Sequence, residues 1–166
     1  MYFKLLSVLM VVAHYLFLTP PTNAQTPIQD ALDATLVILS DDVDQSFLGS
    51  GFVWDDQWAL SNAHVVGDAA FVLVKTRKGE LLRAKVHERD AKRDIALLWL
   101  PISLEGLKPA QLTLAIGTEV ASIGAPLATE FSVTRGIISA EPRQIDASVP
   151  QRMLQHDAAI NPGSSG

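Results

Sequence analysis

Residues 49–62 read GSGFVWDDQWALSN, two short apolar segments separated by the polar turn residues DDQ. The segments GSGFVW (49–54) and WALSN (58–62) are rich in aromatic and aliphatic side chains, and each has the length of a strand. A helix would need apolar residues at a sustained spacing of three or four, which this stretch does not show. The stretch therefore predicts two β-strands.

The same pattern continues on both sides of this stretch. We predict further strands at 34–40, 69–76, 81–89, 94–100, 117–124, 131–139 and 152–157. The tetrapeptide RKGE (77–80) between two of them is typical of a hairpin turn. No window of twelve or more residues has a helical apolar period, so long helices are not expected. The sequence predicts an all-β fold, an antiparallel barrel or sandwich.

The proline-containing stretch PISLEGLKPAQLTL (101–114) interrupts the series of strands. It shows no clear alternation of apolar and polar residues, and we interpret it as a connection between two halves of the chain. More strands are predicted before this connection than after it. The second half therefore resembles an unfinished copy of the first.

Residues 1–24 have the three-part pattern of a secretory signal peptide. A lysine precedes an apolar run from Leu5 to Leu18, and prolines and small residues lead to Ala24, the predicted last residue before cleavage. The run is shorter than the ~20 residues that a membrane-spanning helix needs, which makes an uncleaved anchor the weaker alternative. We expect an exported protein, periplasmic or secreted.

Composition excludes several classes of protein. The formal net charge is −5, and loss of residues 1–24 would make it one unit more negative, so no basic surface for nucleic acid is expected. There is no cysteine, which excludes a disulfide framework and a thiolate metal site. The 48% of hydrophobic residues provide a core for a chain of this length.

Catalysis by a serine nucleophile requires a base and a carboxylate that orients the base. His64 follows an apolar strand, whereas His87 lies in the polar segment RAKVHERD and is interpreted as structural. Asp94 begins the segment DIALLWL, where its charge needs a partner such as a neutral imidazole. The alternatives are that Asp94 pairs with a neighbouring cation, Lys92 or Arg93, or that Asp90 takes its place.

The last residues, DAAINPGSSG (157–166), provide a candidate nucleophile in Ser165. Gly163 allows a turn in which the backbone N–H groups of Gly163 and Ser165 converge and form an oxyanion hole. The order His64, Asp94, Ser165 differs from the Ser, acid, His order of α/β-hydrolases. An esterase of that type is therefore disfavoured.

The ordered segments GSGFVW, WALSNAHVVG, RDIALLWL, GTEVASIGAP, SVTRGIISA and DAAINPGSSG resemble the trypsin-like serine proteases of the HtrA (Deg) type. The resemblance implies a double antiparallel β-barrel with the active site between the barrels. Residues 25–112 would form the first barrel, with His64 and Asp94, and residues 113–166 would begin the second, with Ser165. The catalytic residues would then be His64, Asp94 and Ser165, with Gly163 and Ser165 as oxyanion donors.

The resemblance also implies where part of the specificity pocket lies. Ala159 and Ile160 precede Ser165 at the pocket positions, and neither carries a charge. Such a pocket cannot favour lysine or arginine, so we expect cleavage after small or medium aliphatic residues. Asp157 is expected to make structural hydrogen bonds and is not counted in the pocket.

By resemblance, the protein is a serine endopeptidase that degrades unfolded or damaged exported proteins, a role in protein quality control. It would need no metal or organic cofactor, and it would assemble as a homo-oligomer, a trimer in most of the family. Family members continue beyond Gly166 with strands that close the second barrel, so the chain is expected to be a C-terminally truncated fragment, inactive as given. The alternative is a catalytically silent homologue that binds or chaperones polypeptides.

Overall fold

The computed structural model describes residues 27–109, 115–125, 131–145, 147–148 and 151–166. The predicted signal peptide and the predicted boundary between the halves lie outside the described residues. The two helices are α1 (Pro27–Ala34) and α2 (Ala63–Val66). The strands are β1 (Thr35–Ser40), β2 (Phe47–Asp55), β3 (Trp58–Ser61), β4 (Phe71–Thr76), β5 (Leu81–Asp90), β6 (Ile95–Trp99), β7 (Glu119–Gly124), β8 (Ser132–Arg143) and β9 (Met153–His156). Neither helix has the length and apolarity to cross a bilayer.

The first six strands close into an antiparallel barrel in the order β1-β2-β3-β6-β5-β4, with β4 pairing back to β1. The inward-facing positions are clearest in β4, where the even-numbered residues Val72, Val74 and Thr76 are buried. The turn between β4 and β5 confirms the predicted hairpin. There Gly79 adopts a φ of 84°, and the N–H of Thr76 donates to the carbonyl of Glu80 at 2.9 Å.

The barrel encloses the main apolar core of the described residues. Its largest fully buried side chains come from the four strands β1, β2, β4 and β6, from the residue that follows β6 and from α2. They are Leu36, Ile38, Val53, Val66, Val72, Val74, Leu98 and Leu100. Burial of each such side chain contributes about 1.5–3 kcal/mol to stability, so the barrel stands on its own core without disulfides.

The second half forms a three-stranded sheet in the order β7-β8-β9. The long strand β8 pairs with β7 along its first half, from Ser132 to Ile137, and with β9 along its second half. Ile138, at the point where the two pairings meet, is fully buried. Within the described residues this sheet stays open, as the sequence predicted for an incomplete second barrel.

All nine predicted strands are present, but two helical segments were missed. The polar lead before the first strand contains α1, and Ala34, predicted to begin that strand, ends the helix instead. The small-residue turn after Asn62 contains α2, a single helical turn. Strand β6, predicted from the apolar run at 94–100, exposes Ile95 and Trp99 on its outer face and buries the alternate residues Ala96 and Leu98.

Candidate active site

His64 is positioned by the short helix α2 at the rim of the barrel. Val65 and Val66, the next two residues, are buried in the barrel core and anchor the turn. Asn62 occupies the N-cap position, but its side chain does not cap the helix. It donates instead to the carbonyl oxygen of Asp94 at 2.8 Å, which ties the His64 turn to the loop before β6.

Asp94 makes two hydrogen bonds to His64. One carboxylate oxygen accepts from the His64 backbone N–H at 2.9 Å, and the other lies 2.6 Å from Nδ1 of the ring. Asp94 has a φ of 54°, a left-handed conformation that aspartate tolerates better than most side chains. The carboxylate thus fixes both the position of the His64 turn and the orientation of its imidazole.

Two of the competing residues, Arg93 and Asp90, pair with each other. The guanidinium of Arg93 pairs with Asp90 at 2.5 Å, and Asp90 also accepts from the backbone N–H groups of Lys92 and Arg93. Asp90 is therefore the residue that caps this loop, and Asp94 is the one that meets the imidazole.

The His64–Asp94 pair is partly open to solvent, with 57% of the His64 side chain and 43% of the Asp94 side chain exposed. Partial burial acts to raise the pKa of Asp94, but the hydrogen bonds from the backbone and ring of His64 outweigh it and hold the pKa below the ordinary value of 3.8. Asp94 is therefore a carboxylate at neutral pH. With Nδ1 donating to it, Nε2 is the ring nitrogen available to accept a proton.

Ser165 lies on a turn that is anchored to the same barrel. Gly163 adopts a φ of 94°, which only glycine accepts readily, and the N–H of Ser164 donates to the carbonyl of Asn161 at 3.0 Å. The carbonyl of Ser165 accepts from the backbone N–H of Ser50 in β2 at 2.7 Å, while Ser165 itself remains exposed. The structure thus brings His64 and Asp94 into direct contact and ties the Ser165 turn to the strand beside them.

Residues 49–166 match the family described as the trypsin-like peptidase domain. The chain belongs to this family. Probable periplasmic serine endoproteases of the DegP-like type are 40% identical over 124 residues in Halomonas elongata and 39% identical over 124 residues in Ectopseudomonas mendocina. Each match covers 72% of the chain and 26% of the relative, so the chain spans about a quarter of the length of these curated relatives.

Two solved structures are similar to the fold of this trypsin-like peptidase. The HtrA-type protease AlgW, determined with a decapeptide, superposes with a TM-score of 0.75 at 25% identity and covers 84% of this chain and 53% of its own. A serine endoprotease from Yersinia pestis superposes with a TM-score of 0.72 at 31% identity, covering 84% and 50%. The predicted double-barrel architecture and the resemblance to HtrA-type proteases are confirmed.

The two predicted pocket residues of this trypsin-like peptidase, Ala159 and Ile160, differ in their surroundings. The carbonyl of Ala159 accepts from the Thr134 hydroxyl at 2.7 Å, which fixes the segment against β8. Ile160 is 60% exposed and presents an apolar side chain to solvent. Asp157 has the structural role expected of it, since its carboxylate accepts from the N–H of Ile137 at 2.6 Å.

The other two histidines of the described residues, His87 and His156, have neighbours other than the His64–Asp94 pair. His87, interpreted as structural, stacks edge-on against Trp58 with ring centroids 5.1 Å apart. His156 ends β9 opposite Ile138, in the second sheet. Neither residue is hydrogen bonded to a carboxylate within the part of the chain that the structure describes.

Sequence reasoning missed the polar residues that connect these parts of the trypsin-like peptidase. Ser61 is buried, and its hydroxyl donates to the carbonyl of Ser50 at 2.7 Å, while Asn62 holds Asp94. The only local signal was the serine between two glycines at Gly49 and Gly51, because glycine within a strand marks a close approach of another backbone. That signal does not say which backbone approaches.

The lowered pKa of Asp94 predicts that the free energy of unfolding depends on pH in the acid range. The stabilisation from its hydrogen bonds to His64 is present above the ordinary carboxyl pKa of about 4 and is lost as the pH falls through the lower folded-state pKa. We expect urea midpoints of the wild type and Asp94→Asn to differ at pH ~6 and to converge towards pH ~2. A difference that persists undiminished at the acid end would contradict this prediction.

Proposed function

We propose that the protein is a serine endopeptidase in which Ser165 is the nucleophile, His64 the general base and Asp94 the residue that orients it. The observation that carries the proposal is the 2.6 Å contact between Nδ1 of His64 and the Asp94 carboxylate, in a chain that belongs to the trypsin-like peptidases. The relatives named as serine endoproteases support the same reaction class.

The reaction follows from the roles of the groups. Nε2 of His64 takes the proton of the Ser165 hydroxyl as the oxygen attacks the peptide carbonyl. The N–H groups of Gly163 and Ser165 donate to the oxyanion of the tetrahedral intermediate. The imidazolium, stabilised by Asp94, then gives its proton to the leaving amine, and an acyl-enzyme on Ser165 remains. Water activated by His64 hydrolyses this ester and restores the serine.

The substrates we propose are unfolded or damaged polypeptides of the exported proteome. The DegP-like relatives are named as periplasmic, and the sequence predicts an export signal, so both point to the periplasm. Residues 25–112 would form the barrel with the base and residues 113–166 the start of the barrel with the nucleophile. Homotrimeric assembly is proposed on the resemblance to the family alone.

The side chains at Ala159 and Ile160 predict the residue preferred before the scissile bond. Neither can form an ion pair with lysine or arginine, so we expect the full-length protein to cleave peptides after valine or alanine at least ~10-fold faster than after arginine. Ile160→Ala should enlarge the site and improve cleavage after larger side chains. Rates on a peptide panel varied at this single position would measure both effects.

A matched control for this panel is Val43→Ala, since Val43 is fully exposed at the turn between β1 and β2. Its substitution should leave the preference unchanged. Efficient cleavage after arginine by the wild type would refute the proposed pocket. It would leave the serine endopeptidase itself intact, because the pocket residues and the catalytic residues are tested separately.

A further inference from the structure

Ser50 in β2 contacts both parts of the candidate active site through all its polar groups. The residue is 3% exposed and lies in the barrel that carries His64 and Asp94. Its hydroxyl donates to the carbonyl of Gly163 at 2.8 Å and accepts from the N–H of Ala125 at 2.9 Å. Its backbone N–H donates to the carbonyl of Ser165 at 2.7 Å.

These contacts fix the peptide units on either side of the nucleophile. The hydroxyl of Ser50 holds the unit between Gly163 and Ser164, and the N–H of Ser50 holds the unit between Ser165 and Gly166. The unit between them carries the Ser165 N–H, one of the two proposed oxyanion donors. Because a peptide unit is planar, fixing its neighbours limits how that N–H can rotate.

The backbone carbonyl of Ser50 also links β2 to the residues that precede His64. Its carbonyl accepts from the hydroxyl of Ser61 at 2.7 Å, and Ser61 immediately precedes Asn62, which holds Asp94. The neighbouring glycine allows the approach: a Cβ on Gly49 would lie 2.9 Å from the carbonyl oxygen of Ser165. A side chain there would push the Ser165 turn away from β2.

We propose that Ser50 is a positioning residue for peptide hydrolysis, which holds the Ser165 N–H, one of the two proposed oxyanion donors, and the Ser165 turn in register with His64. The inference rests on the proposed function. A hydroxyl suits this position because it can donate to Gly163 and accept from Ala125 at the same time. Alanine would leave that carbonyl and that N–H without their partner, and the peptide unit after Gly163 would be held only by the hydrogen bond from the Ser164 N–H to the carbonyl of Asn161.

The test compares Ser50→Ala with the wild type in the full-length protein by two measurements. The first is the second-order rate of Ser165 labelling by a fluorophosphonate, which requires both the nucleophile and the oxyanion donors. We expect Ser50→Ala to be slower by about 10–100-fold. The pH midpoint of labelling should stay unchanged, because the contacts between His64 and Asp94 are intact. A general loss of structure would not produce this combination.

The second measurement is amide hydrogen exchange in a peptide covering residues 158–166, which does not depend on activity. Ser50→Ala should exchange at least ~10-fold faster there, while peptides from β4 and β5 should not change. The matched control is Ser40→Ala, because Ser40 is also a buried serine of this barrel, and its hydroxyl contacts Asp44 and Ser46 only within its own turn. Ser50→Cys keeps a side chain of the same shape, slightly larger and with a weaker hydrogen-bonding group, and replaces Ser50→Ala if that variant does not fold.

The outcomes separate the two proposals. Slower labelling and faster local exchange in Ser50→Ala, with Ser40→Ala like the wild type, would support the role of Ser50. Equal labelling of the wild type and Ser50→Ala, or unchanged exchange over residues 158–166, would overturn it. If the wild type itself does not react, the proposed function is wrong and with it the catalytic role of Ser50. In that case amide hydrogen exchange over residues 158–166 still shows whether Ser50 holds the Ser165 turn.

Discussion

Ser165→Ala is expected to lower kcat/KM for peptide hydrolysis by about 10⁶-fold, because the substitution removes the nucleophile and leaves only oxyanion stabilisation and binding. The fold should survive, since Ser165 is exposed and its anchoring contact to Ser50 is made by its backbone carbonyl. Peptide hydrolysis, fluorophosphonate labelling and thermal unfolding of the full-length variant would measure the three effects. Labelling should disappear while Tm stays close to that of the wild type.

The control for this variant is the adjacent serine. Ser164→Ala removes the same hydroxyl one residue earlier, and the hydrogen bond that holds Ser164 comes from its backbone N–H to the carbonyl of Asn161. Activity should remain within a few-fold of the wild type. Full activity in Ser165→Ala would exclude Ser165 as nucleophile. A wild type that binds unfolded protein but neither cleaves nor labels would favour the catalytically silent homologue.

The strands could be predicted from sequence because their burial is local and periodic. In β4 and β5, alternate residues face the core, so the pattern of apolar side chains carries the secondary structure directly. The residue types of the turn RKGE predicted the hairpin, and Gly79 in this turn has the positive φ. The strands of the barrel and this hairpin turn can thus be recognised in short windows of the sequence.

The missed helices are too short for such a signal. Helix α1 has eight residues and α2 has four, and neither spans enough turns for a helical period to stand out. In α2 the helical turn is held by tertiary contacts, since Val65 and Val66 are packed in the barrel core. The residue types alone indicated only a turn.

In the candidate site too, some contacts could be predicted from sequence and others could not. The residue pattern indicated that Asp94 needs a partner and left an imidazole or a neighbouring cation open, whereas the resemblance to HtrA-type proteases selected His64; the structure shows that contact at 2.6 Å. The contacts of Ser50 could not be predicted, because its hydroxyl donates to the carbonyl of Gly163, which is 113 residues away in the sequence. A buried serine is chemically uninformative until the backbone groups around it are known.

Asp94→Asn is the second substitution from which we expect a large effect, a fall in kcat of about 10⁴-fold at neutral pH. An amide can replace both contacts: its oxygen can accept from the His64 backbone N–H, and its NH₂ group can donate to Nδ1. Asparagine also tolerates the φ of 54° at this position, so the variant should fold. The donated hydrogen bond, however, places the imidazole proton on Nε2, and the ring can no longer accept a proton from Ser165.

Steady-state kinetics of Asp94→Asn should therefore show a loss in kcat with KM nearly unchanged, because the pocket residues Ala159 and Ile160 are untouched. Asp90→Asn is the matched control: it removes a carboxylate from the same loop, but one that pairs with Arg93 and not with His64. Its activity should stay within a few-fold of the wild type. Equal losses in both variants would mean that the loop as a whole matters, and that Asp94 does not act by fixing the tautomer of His64.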